Sequence, residues 1–504
     1  MALPQSSSSQ ARCPHSILTS LPSEYAQSSG HQPYNEQRLL TAITGKRKHT
    51  ANAASQYHLT KFPAPLVLPG DAIDLDPKYP SQSFRSWVND GTRNHVTARR
   101  HIIYVAAPPE IDRSVNFMDD WRRPKTDSSM VEKQAVVVAD VEVRSLISYL
   151  QAFYHGLEVK LLPVPLSFTS WDEPAQSKSG SSNRKTRDVQ AVALSTGTEA
   201  TRIRVRSTPP SNAGPADAFP YSHQLNLNDM TDVALRVLPS DAYALLFVIT
   251  HDMYESEEDD FCCGRAWGAS RVAIASSARY QPCLDDVHGV DREHIWPASH
   301  CKAFVDKLNL GSSQNDNPRN RRNGAKKRTI AHRPISGAQS LITPQPLEKA
   351  VDVYRTSSPA VGLAVVDTSS LLLFRLCRTA SHELGHCFGL DHCMYLACMM
   401  QGTASVAEDM RQPPYLCPVC EAKVAWAVVR CGTSEVTAEP KTEGRARRAA
   451  GQTGVEQSEA QTEDDKREIQ LAKWKKDRLE AITTFCEHLN GAFAPLRAWS
   501  TALL

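Results

Sequence analysis

Between residues 382 and 392 the chain reads His-Glu-Leu-Gly-His-Cys-Phe-Gly-Leu-Asp-His, and this run restricts the fold more than any other feature. Histidines four positions apart share a face only if the backbone between them is helical. The preceding residues supply that helix. Leu373, Leu376, Cys377, Ala380, Leu384 and Cys387 recur at helical spacing and form one apolar face. Thr368, Ser369 and Ser370 are cap candidates ahead of Leu371. A helix so patterned buries its aliphatic side and turns His382 and His386 toward a cleft. Gly389 then permits a backbone conformation that other residues resist, so the chain can leave the helix and bring back His392. Three neutral imidazoles form a zinc ligand set with a fourth position open to water, which distinguishes catalytic from structural sites. Glu383, one step round the helix, is placed to act on that water. A lone histidine would read as an ordinary core or surface residue; five fixed positions after a capped amphipathic helix do not.

Seven of the thirteen cysteines (Cys377, Cys387, Cys393, Cys398, Cys417, Cys420 and Cys431) fall in the same stretch. Residues 1–37 are rich in Ser and Gln and lack the apolar run of a secretory leader, so clustered thiols read as metal ligands rather than disulfides. Cys393, Cys398 and the pair Cys417-Pro-Val-Cys420 supply four thiolates in two close pairs, which suits a closed tetrahedral structural zinc. A redox role for Cys417 and Cys420 would call for a thioredoxin-like βαβ setting, and the flanking sequence has none. Cys377 and Cys387 lie on the apolar helix face and are assigned to the core; Cys431 is left unassigned. Two zinc ions, one catalytic and one structural, are therefore expected.

Together these residues resemble the archaemetzincin family of metallopeptidases. Its pattern is His-Glu-x-x-His-x-x-Gly-x-x-His-Cys, four residues, Cys-x-Met and, further on, Cys-x-x-Cys. The match runs from His382 through Cys393, Cys398 and Met400 to Cys417 and Cys420, with sixteen residues between Met400 and Cys417, one fewer than in the pattern. The resemblance implies a catalytic zinc on His382, His386 and His392, a general base at Glu383, and a second zinc on Cys393, Cys398, Cys417 and Cys420. Met400 matches the methionine of the turn beneath the catalytic zinc, where it packs and is not a ligand; Met399 is its neighbour and competitor. The implied fold is α/β: a metzincin-like zinc peptidase domain with a twisted mixed sheet, an active-site helix above the cleft, and a small C-terminal subdomain carrying the third histidine and the second zinc. Help for the developing oxyanion is expected from zinc and from a tyrosine, with Tyr395 and Tyr415 as candidates.

Along the chain, residues 1–60 read as a disordered tail and 61–134 as an extended, Pro-punctuated segment. The catalytic domain is expected over 135–431. Within it, strands are expected at 135–138, 157–163, 201–205, 244–250 and 271–275. Helices are expected at 140–155 and, capped by Asn228, up to 237. Residues 311–340 read as an inserted loop carrying Arg319, Arg321, Arg322, Lys326, Lys327 and Arg328. Such a run is more often a solvated surface loop than a nuclear-localisation or nucleic-acid patch. A polar stretch at 432–461 reads as disordered. The segment 462–504 reads as a helix that begins at Thr462 and packs its stripe of Trp474, Leu479, Ile482, Cys486 and Leu489 on the domain.

With 57 basic and 55 acidic residues, nothing global argues for nucleic-acid or membrane binding, and the longest apolar runs are too short to span a bilayer. The expected setting is intracellular, cytoplasmic or nuclear, and the expected partner is a peptide or protein substrate; the oligomeric state stays open. Two other readings fit parts of the sequence. Arg292-Glu293-His294-Ile295-Trp296-Pro297 resembles the base-bearing segment of ββα-metal nucleases, but the His-rich strand those enzymes use is missing. A non-catalytic, zinc-stabilised interaction module would have no need of Glu383 beside an open ligand position.

Overall fold

The computed structural model describes residues 13–50, 52–125, 139–171, 189–209, 219–314, 345–357, 367–431, 454–489 and 491–504. Its strands are β1 (Ile102–Ala106), β2 (Glu110–Ile111), β3 (Glu158–Leu161), β4 (Ser167–Thr169), β5 (Ala191–Ser195) and β6 (Ala200–Ser207). They continue with β7 (His223–Asn226), β8 (Ala242–Ile249), β9 (Met253–Tyr254), β10 (Gly264–Trp267) and β11 (Val272–Ser276). The strands segregate by hydrophobic pattern. β1, β8 and β11 are apolar on both faces and wholly buried, as parallel strands covered on two sides must be. They form the centre of a five-stranded sheet in the order β10-β11-β8-β1-β3, parallel except for β10, which runs antiparallel along the edge.

The period-two alternation of these strands divides the interior. Ile103, Val105, Leu246, Val248, Ala273 and Ala275 face a layer of helices. Ile102, Tyr104, Leu245, Phe247, Val272 and Ile274 face the opposite way, where Phe168, Leu194, Ile203 and Leu225 of a second, six-stranded mixed sheet meet them. The architecture is thus mixed α/β: a helical layer, a mostly parallel sheet and a second sheet beneath. In the helical layer lie Val143–Phe153, Thr368–Cys387 (the motif helix), Pro418–Cys431 and Gly454–Glu487. Among the described residues no helix is long and apolar enough to cross a membrane.

Several expectations are corrected. Residues 13–50 are not disordered: helices at Glu24–Ser29 and Glu36–Thr44 are capped by Ser23 and Asn35 and end at left-handed Gly30 and Gly45. Leu39, Leu40 and Ile43 are buried in the main core, a burial that becomes possible only once Pro418–Cys431 lies alongside. The segment 61–134 contains β1, a β-branched run that pairs with both β3 and β8 and so sits inside the sheet. The helix over Leu227–Val237 is capped by Asn226, whose side chain accepts from the Asp229 N–H, and not by Asn228. The last long helix begins at Gly454 rather than at Thr462. Trp474, Ile482 and Cys486 of that helix are buried in the main core, and Trp474 donates to His155 O at 2.7 Å. The strand expected at 135–138, the six basic residues of the 311–340 loop and residues 432–453 lie outside the described residues.

One N-terminal side chain ties this stretch to the helix that carries the histidines. Trp87 is fully buried, stacks under the Arg93 guanidinium, and donates Nε1–H to Phe388 O at 2.9 Å. Trp87→Ala is therefore expected to lower stability by about 3–5 kcal/mol, read as a lower denaturant midpoint at unchanged slope. A loss within a few tenths of a kcal/mol would mean that this segment is not part of the core.

Candidate active site

The motif helix Thr368–Cys387 starts at Asp367, whose carboxylate accepts from the Ser370 N–H at 3.0 Å. None of Thr368, Ser369 and Ser370 is the cap. The aliphatic face is buried: Leu376, Cys377, Ala380, Leu384 and Cys387 are at most 1% exposed. At the far end Gly389 takes φ +73°. Its N–H donates to His386 O at 2.9 Å and the Leu390 N–H donates to Gly385 O at 3.2 Å, the paired bonds of a Schellman ending. Two carbonyls left over by the helix are met from outside it: Tyr243 donates to Cys387 O at 3.2 Å, and Trp87 to Phe388 O. The turn is thereby fixed from both sides.

That turn returns His392 to the other two histidines. The ligand nitrogens of His382, His386 and His392 lie within 4.8 Å of one another, and the Nε2 atoms of His382 and His386 are 3.1 Å apart. Backbone carbonyls orient two of the rings: His382 Nδ1 bonds Met399 O at 2.8 Å and His386 Nδ1 bonds Leu390 O at 2.6 Å. If each Nδ1 carries the proton, each Nε2 keeps a free lone pair, the form a metal ligand needs. Burial, followed by the charge of the neighbouring imidazole, holds His382 and His392 far below the ordinary histidine range, His392 at about 4. Burial lowers His386 as well. Burial thus favours the neutral ring at all three positions.

These rings line a cleft of about 790 Å³ together with Glu383, Tyr79, Phe261, Arg265 and Asp391. Glu383 is 7% exposed, and burial pushes its carboxyl up to about 8, against the pull of Arg265. It fits because β10 begins with a glycine: a Cβ on Gly264 would approach Glu383 Oε1 to 2.7 Å. Met400 lies under the helix, since a Cβ on Gly385 would strike its sulfur, while Met399 contributes only the carbonyl that orients His382. Tyr395 and Tyr415 are buried away from the cleft, Tyr395 beside Tyr34 and Tyr415 stacked on Trp499 at 4.1 Å. Two other tyrosines line the cleft: Tyr79, with its ring 5.7 Å from that of His392, and Tyr280, whose hydroxyl accepts from Thr379 at 2.8 Å.

Immediately after His392, Cys393 joins Cys398, Cys417 and Cys420 in a buried cluster whose sulfurs lie within 4.8 Å of one another. Cys393 Sγ and Cys417 Sγ are 3.6 Å apart. The N–H groups of Met400 and Cys417 approach Cys398 Sγ at 3.4 and 3.2 Å, and Cys420 lies in the first turn of the helix Pro418–Cys431. The Cys393 thiol is held well below its usual range by hydrogen bonds from Cys398, Cys417 and Cys420, while burial pushes Cys398 and Cys417 up. Four sulfurs this close in a buried volume are a donor set that zinc fits.

Residues 363–425 match the family model of peptidase family M54. Archaemetzincin-2 of Homo sapiens is 24% identical over 411 residues, covering 78% of this chain and 82% of that one. What the chain resembles is thus the archaemetzincin family of zinc metallopeptidases. Human archaemetzincin-1 is 43% identical over 56 residues, 11% of either chain. The crystal structure of the archaemetzincin of Methanopyrus kandleri aligns over 68% of this chain and 98% of its own, at 15% identity and a TM-score of 0.26.

Spacing within the sequence had no means of finding Gly264, Tyr79 or Gly402, which reach the site from three separate segments. Gly402 is the most restrictive of them for His392, because a Cβ there would come within 2.8 Å of Nδ1. Gly402→Ala is expected to turn His392 away and weaken zinc binding at the three histidines about tenfold or more, with the fold retained. Competition with a chelator of known affinity checks this; unchanged affinity would mean that His392 is not held by that contact.

Proposed function

We propose that this protein hydrolyses peptide bonds at a zinc ion held by His382, His386 and His392, with Glu383 carrying the proton. The observation that supports this best is the convergence of three neutral ring nitrogens beside a buried carboxylate in an open cleft. When bound, zinc supplies a Lewis acid and acidifies water. In its ionised form Glu383 accepts a proton from the attacking water and returns it to the departing amine. Met400 packs beneath the helix and supports His382 and His386 without contributing a ligand. Cys393, Cys398, Cys417 and Cys420 hold a second zinc with no position left for chemistry.

The free edge of β10 supports an extended peptide or protein segment as substrate. Among the described residues β10 pairs with β11 on one side only, and Gly264, Arg265 and Ala266 line the cleft. A peptide laid along that edge gains backbone hydrogen bonds and brings a carbonyl over the histidines.

Glu383→Ala is expected to keep the fold and the zinc content but to lose chelator-sensitive peptide hydrolysis by about 10²–10⁴-fold or more. His382→Ala is expected to lose the metal along with the activity, so zinc analysis beside a peptide assay separates the two failures. If zinc-loaded wild type cleaves nothing in a broad peptide library, the interaction-module reading takes over.

Cys417→Ser addresses the second zinc. Metal binding in such a site is folding free energy, so one zinc should be lost together with thermal stability and soluble yield. A variant that is fully stable, metal-replete and inactive would contradict a structural role.

A further inference from the structure

Far along the chain from the cleft residues, a third set of ligand-type side chains comes together. The N-terminal segment runs antiparallel to residues 300–302: Leu18 bridges Cys301, the Thr19 N–H donates to His300 O at 2.9 Å, and the Lys302 N–H donates to Ile17 O at 2.9 Å. That register carries Cys13 and His15 onto His294 and Cys301, and one donor atom from each of the four lies within 4.8 Å of the others. Cys13 Sγ and Cys301 Sγ are 3.4 Å apart, and the rings of His15 and His294 meet edge to face at 5.2 Å. His15 is 8% and His294 9% exposed, yet Nε2 of each is buried without a hydrogen-bond partner.

We propose that Cys13, His15, His294 and Cys301 form a further zinc site, structural in kind, that fastens the N-terminal segment to the body of the protein. Two thiols and two imidazoles are a donor set that zinc takes in closed tetrahedral sites. With zinc–sulfur bonds of about 2.3 Å, two sulfurs on a tetrahedron lie about 3.8 Å apart, near the separation here. A disulfide would need the sulfurs at about 2.0 Å and would leave both buried imidazoles unanswered. The surroundings also suit a metal ligand. Asp291 Oδ2 lies 2.7 Å from His294 Nδ1, which assigns the proton there and leaves Nε2 as the donor. Phe304 stacks on the His294 ring at 4.2 Å and shields it from water.

This assignment also accounts for the segment that resembles a nuclease motif. The histidine of Arg292-Glu293-His294 faces two thiols and a second imidazole in the interior, where no nucleic-acid backbone reaches it. The consequence for the molecule is mechanical. The residues that follow the segment pack onto the catalytic half: the Ala64 N–H donates to Ser20 O, and the Ala397 N–H donates to Pro63 O, each at 2.9 Å. Tyr79, further along, stands at the cleft.

The test is metal content by mass spectrometry of the gel-filtered full chain, comparing wild type with the double variant Cys13→Ser/His15→Ala. This variant removes both donors of the N-terminal segment and leaves the more deeply buried Cys301 in place. One zinc fewer per chain is expected, together with faster proteolytic clipping near residues 13–20 and retained thermal stability of the remainder. Cys301→Ser should lose the same single zinc. In the cobalt-substituted wild type the thiolate-to-metal absorption should exceed that of the double variant. Equal metal content in wild type and double variant overturns the proposal, as does recovery of a Cys13–Cys301 disulfide in a non-reduced digest. Because the result is a difference between two chains, it does not depend on metal at the other two clusters or on peptidase activity.

Discussion

The last carbonyl groups of the motif helix have to be satisfied, and the way this is done governs the arrangement of the site. A helix ending in the interior leaves acceptors that cost free energy if unpaired. Here the Gly389 turn answers two of them from within, and Tyr243 and Trp87 answer two more from the sheet and from the N-terminal stretch. The same bonds define the direction in which the chain departs, and therefore where His392 arrives. Tyr154 adds a bond to Ser381 O at 2.7 Å and stacks on Phe388, so the segment bearing His382 and His386 is held along its buried side as well.

Two clusters of opposite character grow from this one turn. The histidines are partly exposed to the cleft and neutral; the cysteines, beginning one residue later, are fully buried and close enough to share a proton or a cation. Their adjacency means that the backbone positioning the third imidazole is also the backbone gripped by the thiols. The Cys393 N–H donates to Met400 O at 2.7 Å, closing a loop that contains Cys398 and carries Met400 under the helix. The cysteine cluster is thus joined to the third histidine through the main chain.

The two clusters were visible in the sequence for different reasons. His382 and His386 are related by helical periodicity, and His392 and Cys393 follow within one turn of chain, so local geometry relates them. Cys417 and Cys420 stand apart, and only their Cys-x-x-Cys spacing links them to Cys393 and Cys398. The second half of the sheet and the motif helix were readable from uninterrupted apolar runs such as Ala242–Ile249. The N-terminal region was misread because its apolar residues are sparse. Leu39, Leu40 and Ile43 make a helix worth forming only against Pro418–Cys431, and no local pattern carries that information. Likewise Asp367 outcompeted Thr368, Ser369 and Ser370 as the cap, a choice within one residue that propensity does not resolve.

Neighbours within a turn or two of chain account for the motif helix, its buried face, the glycine that ends it, and the two sets of ligand-type residues. Backbone geometry dictates these because spacing along a helix is spacing in space. The remaining features require distant segments to meet. Gly264 makes room for Glu383, Tyr79 stands beside His392, Trp87 answers a helix carbonyl, and Cys13 meets Cys301 from 288 residues away, with His15 and His294 beside them. Such meetings are set by the packing of whole layers and by which buried polar groups remain to be satisfied, and neither is written at any single position.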